Sequence, residues 1–207
     1  GWFARRAAEI GEDGNRLTSG CFDSSGWLQA KVPGTVLTTL LENKLFPAPE
    51  FGLNNEKIPD ISAVGRDFYT YWFVRPFTVS SVDSGTHVWL NFRGINYKAE
   101  IYLNGKRVNT TTHEGMFLRQ TYDITSYLKK DSVNVLGVLV FPPDHVGVPN
   151  GGQGGDGQIA RNCTMQYTPG WDWIQPVRDR NTGIWDEVSI TTTGDVCVDH
   201  PYVVTKV

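Results

Sequence analysis

Apolar positions along this chain follow two rhythms. Between residues 33 and 46, Val36, Leu37, Leu40, Leu41 and Leu45 recur at the spacing of one helix face, which predicts one short amphipathic helix. Pro47 and Pro49 end it, and residues 51–60 are so rich in turn formers that a long surface loop is expected. Beyond that loop, aromatic and β-branched residues concentrate in 66–79, 87–92, 99–103, 117–122, 133–141, 184–193 and 196–207, about seven strands at short spacing. Asn104-Gly105 separates residues 101–103 from 106–108, and an Asn-Gly pair supplies the two positive φ angles of a two-residue hairpin turn.

Many antiparallel strands, one helix and no strand–helix alternation favour two packed sheets over a parallel α/β layer. The expected fold class is all-β, a β-sandwich with one short helix. A length of 207 residues fits one domain over 1–207, since single sandwiches run to about 250 residues. Residues 142–183 interrupt the strand pattern with Pro142-Pro143, a glycine cluster at 151–157 and Gly170-Trp171-Asp172-Trp173. Irregular segments of that length in a compact domain are usually functional.

Charge and cysteine usage narrow the partners. Lys plus Arg number 19 and Asp plus Glu 22, for a formal charge of −3, too weak a footprint for a nucleic acid. No apolar run approaches the roughly 18 residues of a membrane span. Cys21, Cys163 and Cys197 lie far apart without a CxxC pair, and the four histidines show no ligand spacing, so no metal and at most one disulfide are expected. The glycine cluster satisfies GxGxxG, but neither a βαβ strand before it nor an amphipathic helix after it is present. No nucleotide cofactor is expected; the glycines suit backbone passing close to another chain or domain.

The chain begins at Gly1 without Met or a signal-like stretch, which suggests a processed product of something longer. Two sequons, Asn109-Thr110-Thr111 and Asn162-Cys163-Thr164, mark Asn109 and Asn162 as glycan acceptors on a secretory or vacuolar route.

Glycoside cleavage needs a pair of carboxyl groups, and no pair is marked here. Asp172, Asp179 and Asp186 come nearest to a cluster, but Asp179 sits between Arg178 and Arg180, where a salt bridge is the default. No catalytic residue is assigned, and the chain is not expected to catalyse alone. Trp171-Asp172-Trp173 is the sharpest feature: two indoles and a carboxylate can stack a sugar ring and accept its hydroxyl hydrogens. A pair of core tryptophans, with Asp172 turned to Arg178 or Arg180, explains the same string.

Several strings taken together carry a resemblance. They are Val32-Pro33-Gly34-Thr35-Val36, Phe92-Arg93-Gly94-Ile95-Asn96-Tyr97 followed by the Leu103-Asn104-Gly105 hairpin, residues 151–156, and 170–174 leading into 178–185. The set resembles the N-terminal sugar-binding domain of glycoside hydrolase family 2, closest to its plant endo-β-mannosidase branch, with exo-β-glucosaminidases as near neighbours. The resemblance implies a jelly-roll-like, galactose-binding-like sandwich that precedes an immunoglobulin-like domain and a (β/α)8 barrel bearing both catalytic glutamates. It implies that Asp172 and Trp173 help to hold the sugar of the −1 subsite. Trp171 and Asn96 are further substrate-binding candidates, while the 178–181 segment supports or docks that loop. The implied reaction is retaining hydrolysis of Manβ1-4GlcNAc in the N-glycan core. The alternatives are the equivalent domain of an exo-β-glucosaminidase or exo-β-mannosidase, a free-standing carbohydrate-binding module, and an interaction domain with no sugar contact.

Overall fold

The computed structural model describes residues 1–79, 85–149, 158–170, 174–198 and 201–206. Twelve strands occur among them: β1 (Trp2–Arg6), β2 (Leu28–Ala30), β3 (Gly34–Thr35), β4 (Tyr71–Thr78), β5 (His87–Phe92), β6 (Lys98–Leu103), β7 (Lys106–Arg107), β8 (His113–Glu114), β9 (Gln120–Asp123), β10 (Val133–Phe141), β11 (Gly183–Ile184) and β12 (Val188–Thr193). The larger sheet runs β2-β1-β4-β10-β6-β7, with β8 also on β6; the smaller runs β12-β5-β9, and β11 pairs with β3. Every pairing is antiparallel. The chain is an all-β sandwich, as its pattern predicts.

The burial rhythm of each strand follows from what covers it. β5 alternates half-buried and buried residues, because only Val88, Leu90 and Phe92 face the larger sheet. β4 and β10 are buried on successive residues and read as continuous apolar runs. Their second face is covered by a smaller cluster in which Leu17, Phe22 and Trp27 pack on Trp72, Val74, Tyr102 and Val135. The principal core lies between the sheets, where Phe73, Val138 and Ile101 meet Leu90 and Phe92.

The hairpin between β6 and β7 forms where expected, with Asn104 at φ 52° and Gly105 at φ 82°. Among the described residues three short α-helices are present rather than one: α1 (Gly14–Ser19), α2 (Val36–Glu42) and α3 (Ile61–Val64). α2 is shorter than residues 33–46, because Gly34 and Thr35 pair with β11 and Thr35 then forms a capping box with Thr38. Leu45 falls beyond its end and is exposed.

Four other expectations need correction. Residues 51–60 are not a surface loop throughout, since Asn55, Ile58 and Asp60 are buried. The aromatic stretch at 66–79 opens with a 3-10 turn, Arg66–Tyr69, in which the Tyr69 hydroxyl donates to Pro59 O, and becomes a strand only at Tyr71. The stretch 184–193 breaks at Trp185, because Ile184 pairs with β3 while Val188 pairs with β5. The described part of 196–207 forms no strand, and Tyr202 is 89% exposed. Its β-branched pattern is real, but no sheet edge among the described residues pairs with it.

Candidate functional site

One end of the sandwich carries polar side chains buried as deeply as the core. The turn from Asp179 to Thr182 organises it. Arg180 and Asn181 both take positive φ, 52° and 58°, a conformation that costs a residue with a Cβ and persists where its surroundings fix it. Asp179 begins the turn with Oδ1 accepting from Asn181 N (2.9 Å) and Oδ2 accepting from Leu37 N (2.7 Å). Thr182 O accepts from Val36 N at 2.7 Å, so two orphan N–H groups of α2 end on this turn. Gly183 follows at φ 154°, where a Cβ would lie 2.6 Å from Gly34 O, so only glycine allows β11 to approach β3 this closely.

The expected Asp179 salt bridge is not what forms. Its carboxyl is 0% exposed; burial pushes its pKa up to about 6, against the Leu37 and Asn181 N–H groups that stabilise the charge. The ion pair belongs to Asp60, from the segment expected to be surface loop. Arg180 Nη1 donates to Asp60 Oδ2 and Nη2 to Asp60 Oδ1, both at 2.9 Å, in a bidentate fork. Asp60 Oδ1 also caps α3, accepting from Ser62 N at 2.9 Å and Ser62 Oγ at 2.6 Å. Burial would raise the Asp60 pKa, but the Arg180 and Ser62 hydrogen bonds and the Arg180 charge together hold it below the usual carboxylate range.

Arg180 is 1% exposed and uses all five N–H donors. Beyond the two on Asp60, Nε donates to Val146 O (2.9 Å), Nη1 to Val177 O (2.8 Å) and Nη2 to Gly147 O (3.2 Å). All five are thus committed to the Asp60 carboxylate and to main-chain carbonyls.

These carbonyl partners stand at the bases of two loops. Val148 N donates to Gln158 O (2.9 Å) and closes the loop that carries the glycine cluster; Val177 N donates to Thr168 O (2.8 Å) and closes the loop that carries Trp171, Asp172 and Trp173. Both motifs themselves lie outside the described residues. On the return side of the second loop, Asn55 Nδ2 donates to Gln175 Oε1 and Pro176 O, and Arg178 Nε donates to Asn55 O.

Asn96 completes the constellation from the segment between β5 and β6. It is 0% exposed, and its Nδ2 donates to Arg180 O (2.8 Å) and Asn181 O (2.9 Å). Two carbonyl acceptors fix which end of the amide faces the turn. Its backbone exchanges both hydrogen bonds with Gly183 at 2.9 Å. Asn96 Oδ1 has no partner among the described residues. A buried acceptor left unsatisfied is costly to the fold, and this one is out of reach of solvent.

The two sequons differ. Asn109 is 1% exposed; its Oδ1 accepts from Ile101 N and its Nδ2 donates to Ala99 O, so the folded chain has no place for a glycan on that amide. Asn109 is corrected to a structural residue that serves the β6 backbone. Asn162 is half-buried, with Oδ1 accepting from Asp144 N. Cys21, Cys163 and Cys197 are exposed free thiols. Among the described residues no three His, Cys, Asp or Glu side chains are grouped to hold a metal, and no helix is long and apolar enough to cross a membrane.

An antiparallel sandwich with a hydrogen-bonded polar end has the architecture of a galactose-binding-like module. Residues 8–186 match the family described as Glycosyl hydrolase 2 galactose-binding domain-like, and the chain belongs to that family. It is 50% identical over its whole length to a mannosylglycoprotein endo-beta-mannosidase of Lilium longiflorum, of which it spans 22%. Among solved structures, the Amycolatopsis orientalis exo-chitosanase matches 94% of the chain at 26% identity and a TM-score of 0.72; the match spans 20% of that protein. A beta-D-mannosidase from Dictyoglomus thermophilum matches 93% at 27% identity and a TM-score of 0.64, over 22% of its length. The chain thus spans about a fifth of each of these relatives.

Asp60 was the residue that sequence reasoning missed. The available signal was Asp60-Ile61-Ser62, an N-cap signature ahead of an apolar residue, hidden by the turn-rich composition around it.

Proposed function

We propose that this chain is the non-catalytic N-terminal domain, spanning 1–207, of a retaining β-mannosidase-type glycoside hydrolase that cleaves Manβ1-4GlcNAc in the N-glycan core. The observation that carries this reading is the 50% identity over the whole chain to the lily mannosylglycoprotein endo-beta-mannosidase, with residues 8–186 matching the galactose-binding-like domain of glycosyl hydrolase family 2. In this reading Asp172 and Trp173, with Trp171 and Asn96, contribute to the −1 sugar subsite, and the reactive glutamates come from a (β/α)8 barrel in the remaining domains or subunits. Contacts to hydroxyls remote from the scissile bond orient the sugar for attack. The exposed Phe51, Leu53 and Ile174, which border the segments joined by Asn55 and Gln175, suit a surface that another domain covers.

Identity of 50% to the lily enzyme, against 26–27% to the exo-chitosanase and the beta-D-mannosidase, favours endo over exo action. A secretory or vacuolar route follows from a glycoprotein substrate and leaves Asn162 as the acceptor to examine by mass spectrometry. The decisive experiment makes Asp172→Ala in the assembled enzyme and assays a Manβ1-4GlcNAc oligosaccharide. Loss of activity of about 100-fold or more is expected; unchanged activity would remove Asp172 from the site. The isolated chain should not hydrolyse the same substrate.

A further inference from the structure

On one side of the sandwich β8 borders the larger sheet and β9 the smaller, and a cleft of about 490 Å³ lies between them. That volume is within the roughly 300–1,000 Å³ of small-molecule sites. One wall is the 109–113 segment, tied at both ends. The buried Asn109 side chain bonds Ile101 N and Ala99 O, Arg107 Nη2 donates to Thr112 Oγ1 at 2.7 Å, and His113 pairs with Ala99. Thr110 and Thr111, held between these ties, are exposed along the cleft.

The other wall and the rim are fixed as well. Gln120 and Tyr122 of β9 are half-buried, with the Tyr122 ring set edge-on to Phe92. At the rim, Gly115 takes φ 141°, and Leu118 Cδ1 lies 2.8 Å from where a Cβ of residue 115 would stand. Trp185 Nε1 donates to Met116 O at 3.0 Å and holds the same turn, yet Leu118 remains 50% exposed. Gly115 N donates to Tyr97 O at 3.0 Å, so the rim stands beside the loop end that Asn96 belongs to.

The lining selects the chemistry of a ligand. Glu114 is the one charged side chain among the described lining residues, and burial holds the His113 imidazole below its usual pKa, so the floor is neutral near pH 7. Hydroxyls, an amide and a carboxylate can exchange hydrogen bonds with a polyhydroxylated ligand, while Leu118 and the Tyr122 ring offer apolar surface to its C–H faces. The cleft beside α1 is lined instead by Arg5, Glu9, Glu12, Arg16 and Asp23, which suits a charged ligand.

We infer that the cleft between β8 and β9 binds a neutral oligosaccharide, a mannose-bearing arm of the substrate outside the −1 subsite, through Glu114, Gln120 and the hydroxyls of residues 110–112. The mannose identity and the substrate role rest on the proposed function; the lining and its exposure are properties of the chain.

The first measurement needs no catalysis. Mannotriose titrated into the 15N-labelled chain should shift the amides of Thr111, Glu114, Gln120 and Tyr122, saturating with a Kd on the order of 1 mM, while the amides of α1 stay in place. Glu114→Gln and Thr111→Ala, both at exposed positions that folding does not depend on, should each weaken binding by about threefold or more. Absence of shifts at about 20 mM sugar, the result expected if the surface of another domain covers this cleft, overturns the inference. So does wild-type affinity in both variants.

The second measurement uses the assembled enzyme. Glu114→Ala should raise KM for a branched N-glycan-core oligosaccharide by about fivefold or more relative to its effect on the Manβ1-4GlcNAc disaccharide. An equal change for the two substrates, or none for either, overturns the substrate role. A wild-type enzyme inactive on both refutes the proposed function instead, and the titration still decides whether the cleft takes a sugar.

Discussion

The inter-sheet core and the loop end are both buried, yet they hold their geometry by opposite means. In the core, Phe73, Leu90, Phe92, Ile101 and Val138 lose water without needing any particular partner, so apolar area is what counts. At the loop end, Asp60, Asn96, Asp179 and Arg180 lose water only because nearly every polar atom meets an aimed partner. The first arrangement tolerates small changes of shape; the second fixes direction and fails when one member is removed. A sugar site needs the second kind, because hydroxyl recognition depends on where an acceptor points.

The largest test of this contrast is Asp60→Ala. It leaves the Arg180 guanidinium buried with two N–H groups unpaired and removes the α3 cap, so a loss of about 3–5 kcal/mol in unfolding free energy is expected from urea titration. Phe73→Ala, which empties a fully buried core site, should cost a similar amount, about 3–5 kcal/mol. The difference lies in the site: Asp60→Ala should also release the loop bases, read as faster amide exchange at Val148 and Val177, whereas Phe73→Ala should leave those two amides protected. A cost below about 1 kcal/mol for Asp60→Ala would deny the polar end its structural role.

A second test uses pH, to which the apolar core does not respond. The folded-state value of Asp179, about 6, lies above its ordinary 3.8, so the folded chain holds this proton more tightly than the unfolded chain. The resulting stability is fully present below about pH 4 and is lost as pH rises through about 6. At about 1.4 kcal/mol per pH unit, the loss approaches 3 kcal/mol. Asp60 has the opposite sign: its value is lowered, so its contribution is present at higher pH and lost as pH falls through that lowered value. Urea midpoints should therefore decline between about pH 4 and about pH 6 while the Asp179 carboxyl titrates by 13C NMR with a midpoint near 6; a midpoint below 4 would reverse the sign.

The same contrast explains what could be read from the chain alone. Period-two alternation at 87–92 and the Asn104-Gly105 turn are local signals, each decided by neighbours in sequence, and both were legible. β1 was not, because Trp2–Arg6 is a strand only by virtue of its place between β2 and β4. At the site, Asn96 and the 178–181 segment stood out through resemblance. The Asp60–Arg180 pair did not, since its partners lie 120 positions apart and nothing in Arg178-Asp179-Arg180 says that both arginines reach Asp60, Arg180 through a fork and Arg178 through Nη1 alone, or that Asp179 turns to α2. Contacts that span the sequence are set by topology, and local composition does not carry them.

The smallest expected effect is Ile101→Val. Ile101 is fully buried between the sheets, and the substitution removes one methylene without changing the β-branched shape that suits a strand. A cost of about 1 kcal/mol is expected, within the roughly 0.5–1.5 typical of this exchange. Ile101 N also donates to Asn109 Oδ1, and Asn109 Nδ2 donates to Ala99 O, so this core strand is tied to a buried amide only by its main chain. Valine keeps that bond, and the Asn109 side-chain protons should exchange at the wild-type rate while global stability falls. If they instead exchanged faster, side-chain packing and polar positioning would be coupled even here, and the division between an apolar core that tolerates shape and a polar end that fixes direction would have to be redrawn.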